Sequence, residues 1–110
     1  MKTHKNLIVW QKSIDFVTKL YDETKSFPKE EVYGLISQLR RATISVPSNI
    51  AEGAARNTTK EYFRFLYIAR GSASEIETPL LIAENLGYFK FSKNIRMLSA
   101  LINKITQRIL

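Results

Sequence analysis

Residues 58–87, TTKEYFRFLYIARGSASEIETPLLIAENLG, contain the longest helical pattern of this 110-residue chain. Its main apolar positions recur at alternating intervals of four and three residues, which places them on one face of an α-helix. These positions are Tyr62, Leu66, Ala69, Ala73, Ile76, Leu80 and Ala83. Thr58 and Glu61 have the spacing of a capping box, and Gly87 suits the left-handed residue that ends a helix. The stretch therefore predicts a helix over residues 59–86.

Three other segments show the same apolar interval and predict helices over residues 6–26, 30–56 and 92–109. The first closes before Pro28, because proline disfavours helix in the residue that precedes it. Its apolar stripe consists of Leu7, Trp10, Ile14, Val17, Tyr21 and Thr24. The second segment carries Val32, Leu35, Leu39, Ala42, Val46 and Ile50. The last segment, which Ser92 can cap, carries Ile95, Leu98, Ile102, Ile105 and Ile109.

The short connections between these helices require neighbours to run in opposite directions, and the apolar interval is typical of shallow left-handed packing. The sequence therefore predicts an all-α fold, an antiparallel up-down-up-down four-helix bundle that forms one domain over residues 1–110. Pro47 and Pro79 lie inside predicted helices and predict bends there, since each deletes a backbone hydrogen bond. Gly53 and Gly71 are interpreted as positions of close helix packing.

The formal charge of +7, from 17 Lys and Arg against 10 Asp and Glu, favours polyanionic partners. The excess lies near the two ends of the chain, in residues 1–21 and 90–110, while the middle of the chain is nearly neutral. The chain has no cysteine, which excludes disulfides and agrees with a reducing, cytoplasmic location. No apolar run approaches the roughly 20 residues that span a bilayer, so no membrane partner is expected.

The basic residues of the first and last helices predict a nucleic-acid-binding surface. On the last helix they face away from the apolar stripe, and on the first helix Lys5, Lys12 and Lys19 recur every seven residues along one line. The bundle makes these two helices neighbours, so the two basic lines can merge. The candidate residues are Lys5, Lys12, Lys19, Lys90, Lys93, Arg96, Lys104 and Arg108. The alternative is that they form ordinary solvated helix faces.

A polar stripe borders the apolar stripe of the second helix and predicts a hydrogen-bonded network between the second and third helices. Its residues are Gln38, Arg41, Ser45, Asn49 and Glu52, with Glu75 as the expected partner on the third helix. Since a half-buried charge must be paired, we expect contact between Arg41 and Glu75. The alternative, a ligand site, has less support because these residue types do not activate a nucleophile.

A second apolar line on the first helix and extra aromatic residues on the third predict an oligomer interface, because a single chain would leave them exposed. The candidate residues are Val9, Phe16, Leu20, Phe63 and Tyr67. The alternative is that Phe16 and Phe63 fill grooves within one chain.

Catalysis has little support. His4 is the single histidine and lies at the N-terminus, so a helical histidine base or a Glu-x-x-His metal site is missing. Glycines occur without the strand-to-helix turn of a phosphate-binding loop. We therefore expect no enzymatic activity, no metal and no cofactor.

The string FPKEEVYGLISQLRRATISVPSNIAEGAAR, residues 27–56, resembles the 23S rRNA intervening-sequence proteins, as do NLIVWQKS and EYFRFLYIARGSASEIETPLLIAENLGY. The resemblance covers residues 6–89 and implies a small bacterial four-helix-bundle protein whose role is poorly defined. Accessory proteins of diversity-generating retroelements look similar in fold, and they form pentamers whose basic surface engages nucleic acid. This resemblance implies, by analogy, that the present chain is also a pentamer. The chain departs from the family pattern at Pro79, where an uninterrupted helix is expected.

Two functional hypotheses follow from these patterns. The first is a non-enzymatic homo-oligomer, a pentamer by the resemblance, that binds RNA or DNA backbone without base specificity. The second is a protein-interaction adaptor that docks a partner through the region of Phe63 and Tyr67, with the positive charge serving solubility or steering.

Overall fold

The computed structural model describes residues 4–89 and 93–110, and four α-helices make up most of these two ranges. They are α1 (Ile8–Thr24), α2 (Leu35–Ala54), α3 (Thr59–Asn85) and α4 (Lys93–Ile109). Within the described ranges no strand occurs, and short 3₁₀ turns at His4–Asn6 and Lys29–Glu31 precede α1 and α2. The all-helical class is thereby confirmed. The expected Ser92 cap falls outside the described residues.

The buried face of α1 differs from the predicted one. Val9, Phe16 and Leu20 are at most 5% exposed, whereas Ile14 is 36% exposed. Because α1 contacts both α2 and α4, its buried face is centred between these two neighbours. The predicted stripe lies to one side of that centre, and Trp10 packs against the core only in part. The expectation that Val9, Phe16 and Leu20 form an exposed interface is wrong, since they fill the core of their own chain.

The helix α2 begins five residues later than predicted. Lys29–Glu31 form a separate 3₁₀ turn, and Gly34 precedes the first residue of the helix, Leu35. The Glu31 carboxylate still acts at this end, because its Oε1 accepts a hydrogen bond from the Leu35 amide at 3.3 Å. A negative charge there interacts favourably with the helix dipole.

The helix α3 follows the sequence prediction closely. The Thr58 hydroxyl accepts a hydrogen bond from the Glu61 amide at 3.1 Å, and Gly87 ends the segment with a φ of 78°. All the predicted stripe residues of α3 are buried except Tyr62, which is partly buried. The helix continues through Pro79, which is itself buried, so the departure from the family pattern does not interrupt it.

The two helical glycines have different surroundings. A Cβ at Gly53 would lie 2.8 Å from the Phe65 Cβ, so α2 and α3 approach closely there, as predicted. A Cβ at Gly71 would meet no atom within 4 Å. The prediction of close packing at Gly71 is therefore wrong.

The buried core joins all four helices, with α2 contacting α1 and α3, and α4 contacting α3 and α1. One end of the molecule is closed by aromatic residues, since the Phe27 ring lies 5.2 Å from the Tyr88 ring and 5.7 Å from the Phe89 ring. At the other end Leu7, Gly53, Thr58 and Arg108 line one depression. The start of α1, the end of α2, the start of α3 and the end of α4 therefore lie together.

The side chain of Arg40 holds α2 against the last turn of α1. Its Nε donates to the Thr24 hydroxyl at 3.0 Å, and one terminal nitrogen donates to the Tyr21 carbonyl at 3.2 Å. The guanidinium carbon also lies 4.4 Å from the centre of the Tyr21 ring. A cation at a helix C-terminus interacts favourably with the carbonyl groups there. Arg40 thus acts as a tertiary cap of α1.

Candidate nucleic-acid interface

Basic residues of α1 and α4 meet along the contact between these helices. Lys12 and Lys104 line one shallow depression, together with Asp15 and the core residues Phe16 and Leu101. Both lysines are exposed. Lys12 and Lys104 meet because each lies on its own helix next to the buried residues through which α1 and α4 pack. The geometry places two positive charges from distant parts of the sequence on one surface.

Arg108 extends this surface to the end of the molecule. Lys104 and Arg108 line a second groove, of about 740 Å³, with the first residues of α1. The Arg108 Nε donates to the Tyr62 hydroxyl at 3.1 Å, which orients the guanidinium across the start of α3. Lys5 lies nearby in the 3₁₀ turn, where its carbonyl accepts a hydrogen bond from Gln11 at 2.8 Å.

Lys19, Lys93 and Arg96, which are also in the predicted basic set, lie toward the opposite end. Lys19 forms an ion pair of 3.3 Å with Glu23, and the Asn94 amide also donates to the Glu23 carboxylate. The positive charge of Lys19 is therefore locally balanced. Lys93 and Arg96 are exposed on α4. Lys90 lies outside the described residues.

The polar stripe of α2 divides into a hydrogen-bonded part and an open groove. The Ser45 and Ser72 hydroxyls lie 2.9 Å apart, and the Asn49 amide donates to the Ser45 carbonyl at 2.8 Å and to its hydroxyl at 3.0 Å. These bonds link α2 to α3. The groove beside them measures about 830 Å³, and the stripe residues that line it with Ser45 are Gln38, Arg41 and Glu75.

The predicted contact between Arg41 and Glu75 is wrong. Both side chains line the groove, but no ion pair joins them among the described residues, and Arg41 donates instead to Ser37 at 3.4 Å. Both residues are exposed, so water solvates their charges and removes the desolvation that would require pairing. Glu52, the last residue of the stripe, pairs with Arg56 at 2.6 Å.

Of the two aromatic residues of α3 that are predicted to form an exposed interface, one is exposed. Phe63 is partly buried against the core, and its ring lies 6.1 Å from that of Tyr62. Tyr67 is 52% exposed, and the Arg70 guanidinium lies 5.0 Å from the centre of its ring. Tyr67 is thus the residue of the predicted interface set that remains available to a partner.

A basic cluster that the sequence patterns did not predict lies at the turn between α2 and α3. Arg56 and Arg64 place their guanidinium carbons 4.8 and 5.3 Å from the centre of the Phe65 ring, and Lys60 is exposed beside them. Arg64 also pairs with Glu61 at 3.3 Å. These residues belong to the middle of the chain, whose nearly neutral total conceals them. Charge counting gives little signal here even locally, since residues 52–64 carry three basic and two acidic side chains.

Neither a metal site nor a membrane segment is found in the part of the chain that the structure describes. Across residues 4–89 and 93–110, no three His, Asp or Glu side chains are grouped so that they could hold a metal ion. Over the same residues, no helix combines the length and the hydropathy that crossing a bilayer requires.

Comparison with known proteins assigns the sequence pattern to a family. The family model described as 23S rRNA-intervening sequence protein matches residues 5–110. A crystal structure of a protein of unknown function from the S23 ribosomal protein family of Bacteroides thetaiotaomicron superposes with a TM-score of 0.67 and 20% identity. The match covers 93% of this chain and 92% of that chain, and it shows a shared fold. The search of curated proteins finds no match.

Proposed function

The chain belongs to the family of 23S rRNA-intervening sequence proteins, and on this premise we propose that it is a non-enzymatic homo-oligomer that binds RNA or DNA backbone. The observation that carries the proposal is the meeting of Lys12 and Lys104 on one surface, which Arg108 continues. Clustered exposed cations attract phosphates and release their counterions, with no requirement for a particular base.

We place this surface on an antiparallel up-down-up-down bundle. Ser45 of α2 contacts Ser72 of α3, and Gly53, later in α2, lies against Phe65, earlier in α3. Residue numbers therefore increase along α2 as they decrease along α3, which supports an antiparallel arrangement of the two helices. Contacts of Asn94 with Glu23, and of Arg108 with the start of α1, support the same relation between α4 and α1. We further propose that residues 1–110 act as one domain in the cytoplasm.

Apolar side chains that remain exposed support self-association. On α3 these are Tyr67 and Ile68 in its first half and Leu81 and Ile82 near its end, each at least 40% exposed. Exposed apolar patches on small proteins commonly mark interfaces. A pentamer is the state that the family resemblance implies. Light scattering measures this directly, and a mass equal to the 12.7 kDa chain refutes self-association.

The alternative function is a protein-interaction adaptor. The exposed ring of Tyr67 favours it, as does Tyr33, which is 97% exposed at the edge of the groove between α2 and α3. In that case the basic residues serve solubility or steering, and a protein partner binds whether or not they are neutralised.

Filter binding to 23S rRNA fragments over a series of salt concentrations tests the proposed function. Affinity should fall steeply as salt rises, because each neutralised phosphate contributes about 0.7 to 0.9 to the slope of log K against log salt. The variant Lys12→Gln/Lys104→Gln should bind more weakly and with a smaller slope. Absence of binding at low salt, or binding without a salt slope, contradicts the proposal and favours the adaptor.

A further inference from the structure

The positive charge of the described chain is concentrated at one end of the molecule. We name as the basic end the residues 4–15, 51–66 and 104–110, which the contacts around Leu7, Thr58 and Arg108 and the depression shared by Lys12, Asp15 and Lys104 bring together. These residues include seven Lys and Arg and three acidic residues, Asp15, Glu52 and Glu61. The other described residues carry eight basic and seven acidic residues.

We propose that the basic end is the contact surface for a single-stranded nucleic acid, whose phosphodiester backbone crosses this end of the molecule. The proposal rests on the proposed function and narrows it, since it assigns binding to one end of α1 and α4 and adds the turn between α2 and α3. The residues that it adds to the predicted set are Arg56, Lys60 and Arg64.

Local charge balance separates the two ends of the predicted surface. Toward the opposite end, Lys19 is paired with Glu23, and the carboxyl groups of Asp22 and Glu30 add negative charge near the connection between α1 and α2. At the basic end, Arg56 and Arg64 form ion pairs. Among the described residues, no acidic side chain lies within 4 Å of Lys60 or Arg108 at this end or of Lys93 or Arg96 at the other, so the two ends differ in the number of acidic residues near their cations. A polyanion gains more from the end where positive charge exceeds negative.

The shape of the basic end favours a flexible strand over a duplex. The molecule measures 43 × 22 × 20 Å, so its end is about as wide as one duplex is thick. The cations follow two adjacent grooves that share Leu7 and Arg108, with Lys104 in the groove beside α1 and Arg56 in the groove beside the start of α3. A duplex has a persistence length of about 150 base pairs and cannot follow so small a curved surface, whereas a single strand can.

The test compares two variants that remove the same charge from exposed positions. Lys60→Gln/Arg108→Gln alters the basic end, and Lys29→Gln/Arg41→Gln, at two exposed residues outside the predicted binding set, is the matched control. The probe is an oligouridylate RNA of about 12 nucleotides, with a duplex of equal length as the second arm. Fluorescence anisotropy gives Kd over a salt series, and circular dichroism melting verifies that each variant is folded.

We expect the basic-end variant to lower the salt slope by about 1.4, which is 0.7 for each lost contact with a single strand, and the control to leave the slope nearly unchanged. Equal losses in the two variants overturn this inference while leaving the proposed function intact. Tighter binding of the duplex than of the single strand also overturns it. If the unaltered protein binds neither probe at low salt, the proposed function fails and this inference fails with it.

Discussion

The neighbouring residues Arg40 and Arg41 provide a direct test of how α1 and α2 are held together. Arg40 donates to the Thr24 hydroxyl and the Tyr21 carbonyl and lies over the Tyr21 ring. Arg41 is exposed, and its one hydrogen bond, to Ser37, is 3.4 Å long. Replacing each arginine with alanine removes the same atoms from adjacent positions of one helix. The two variants therefore differ in their tertiary contacts alone.

The expected loss for Arg40→Ala follows from these contacts. Hydrogen bonds to charged groups contribute about 1.5–3 kcal/mol each, and a cation–π contact contributes about 0.5–1 kcal/mol. One guanidinium makes all of these contacts, so the contributions are not additive. We expect Arg40→Ala to lower the free energy of unfolding by about 2–4 kcal/mol. Arg41→Ala should change it by less than about 0.5 kcal/mol, as is usual for exposed positions.

Urea unfolding followed by circular dichroism measures both values, with all proteins at one concentration because self-association would raise the apparent stability. An m-value of about 1–3 kcal/mol/M converts the expected loss for Arg40→Ala into a midpoint shift of about 1 M or more. Thr24→Val should couple to Arg40→Ala in a double-mutant cycle, since the two side chains share a hydrogen bond. Equal shifts for Arg40→Ala and Arg41→Ala, or no coupling to Thr24, would refute the reasoning.

Four further substitutions probe local features of the fold. Gly71→Ala should stabilise the chain by about 1 kcal/mol, because its Cβ enters open space on a helix, whereas Gly53→Ala should destabilise it through contact with Phe65. Thr58→Ala should cost about 1 kcal/mol, since it removes the N-terminal cap of α3. Hydrogen bonding to Glu31 raises the pKa of Tyr88, so wild type should lose more stability above about pH 10 than Tyr88→Phe does.

The sign of the Tyr88 prediction follows from linkage. Its pKa is higher in the folded state, so its contribution to stability is fully present below the pKa of the unfolded chain and is lost as pH rises through the folded pKa. Urea unfolding at several alkaline pH values measures the difference between wild type and Tyr88→Phe. Parallel pH profiles would contradict the assigned bond. For the glycines and Thr58, thermal melts suffice, and a destabilised Gly71→Ala would indicate that another surface packs there.

The sequence by itself determined which four segments form helices, although it placed the start of α2 five residues too early. Local chemistry carries this information, because Thr58 caps α3 and Gly87 ends it through contacts within a few residues. Apolar spacing likewise identified the buried face of α3, which has one clear apolar line. Family membership was accessible for the same reason, since the string over residues 27–56 is contiguous in the chain.

The tertiary structure alone decided which of several similar residues are buried or make tertiary contacts, because local sequence does not distinguish them. The helix α1 has two apolar lines, and its position between α2 and α4 selected Val9 and Phe16 for the core. Arg40 and Arg41 are identical side chains one residue apart, and the direction of approach of α1 made Arg40 the cap. The basic end likewise depends on distant segments that meet in space, because the fold brings Lys60 and Arg108 to one end although 47 residues of sequence separate them.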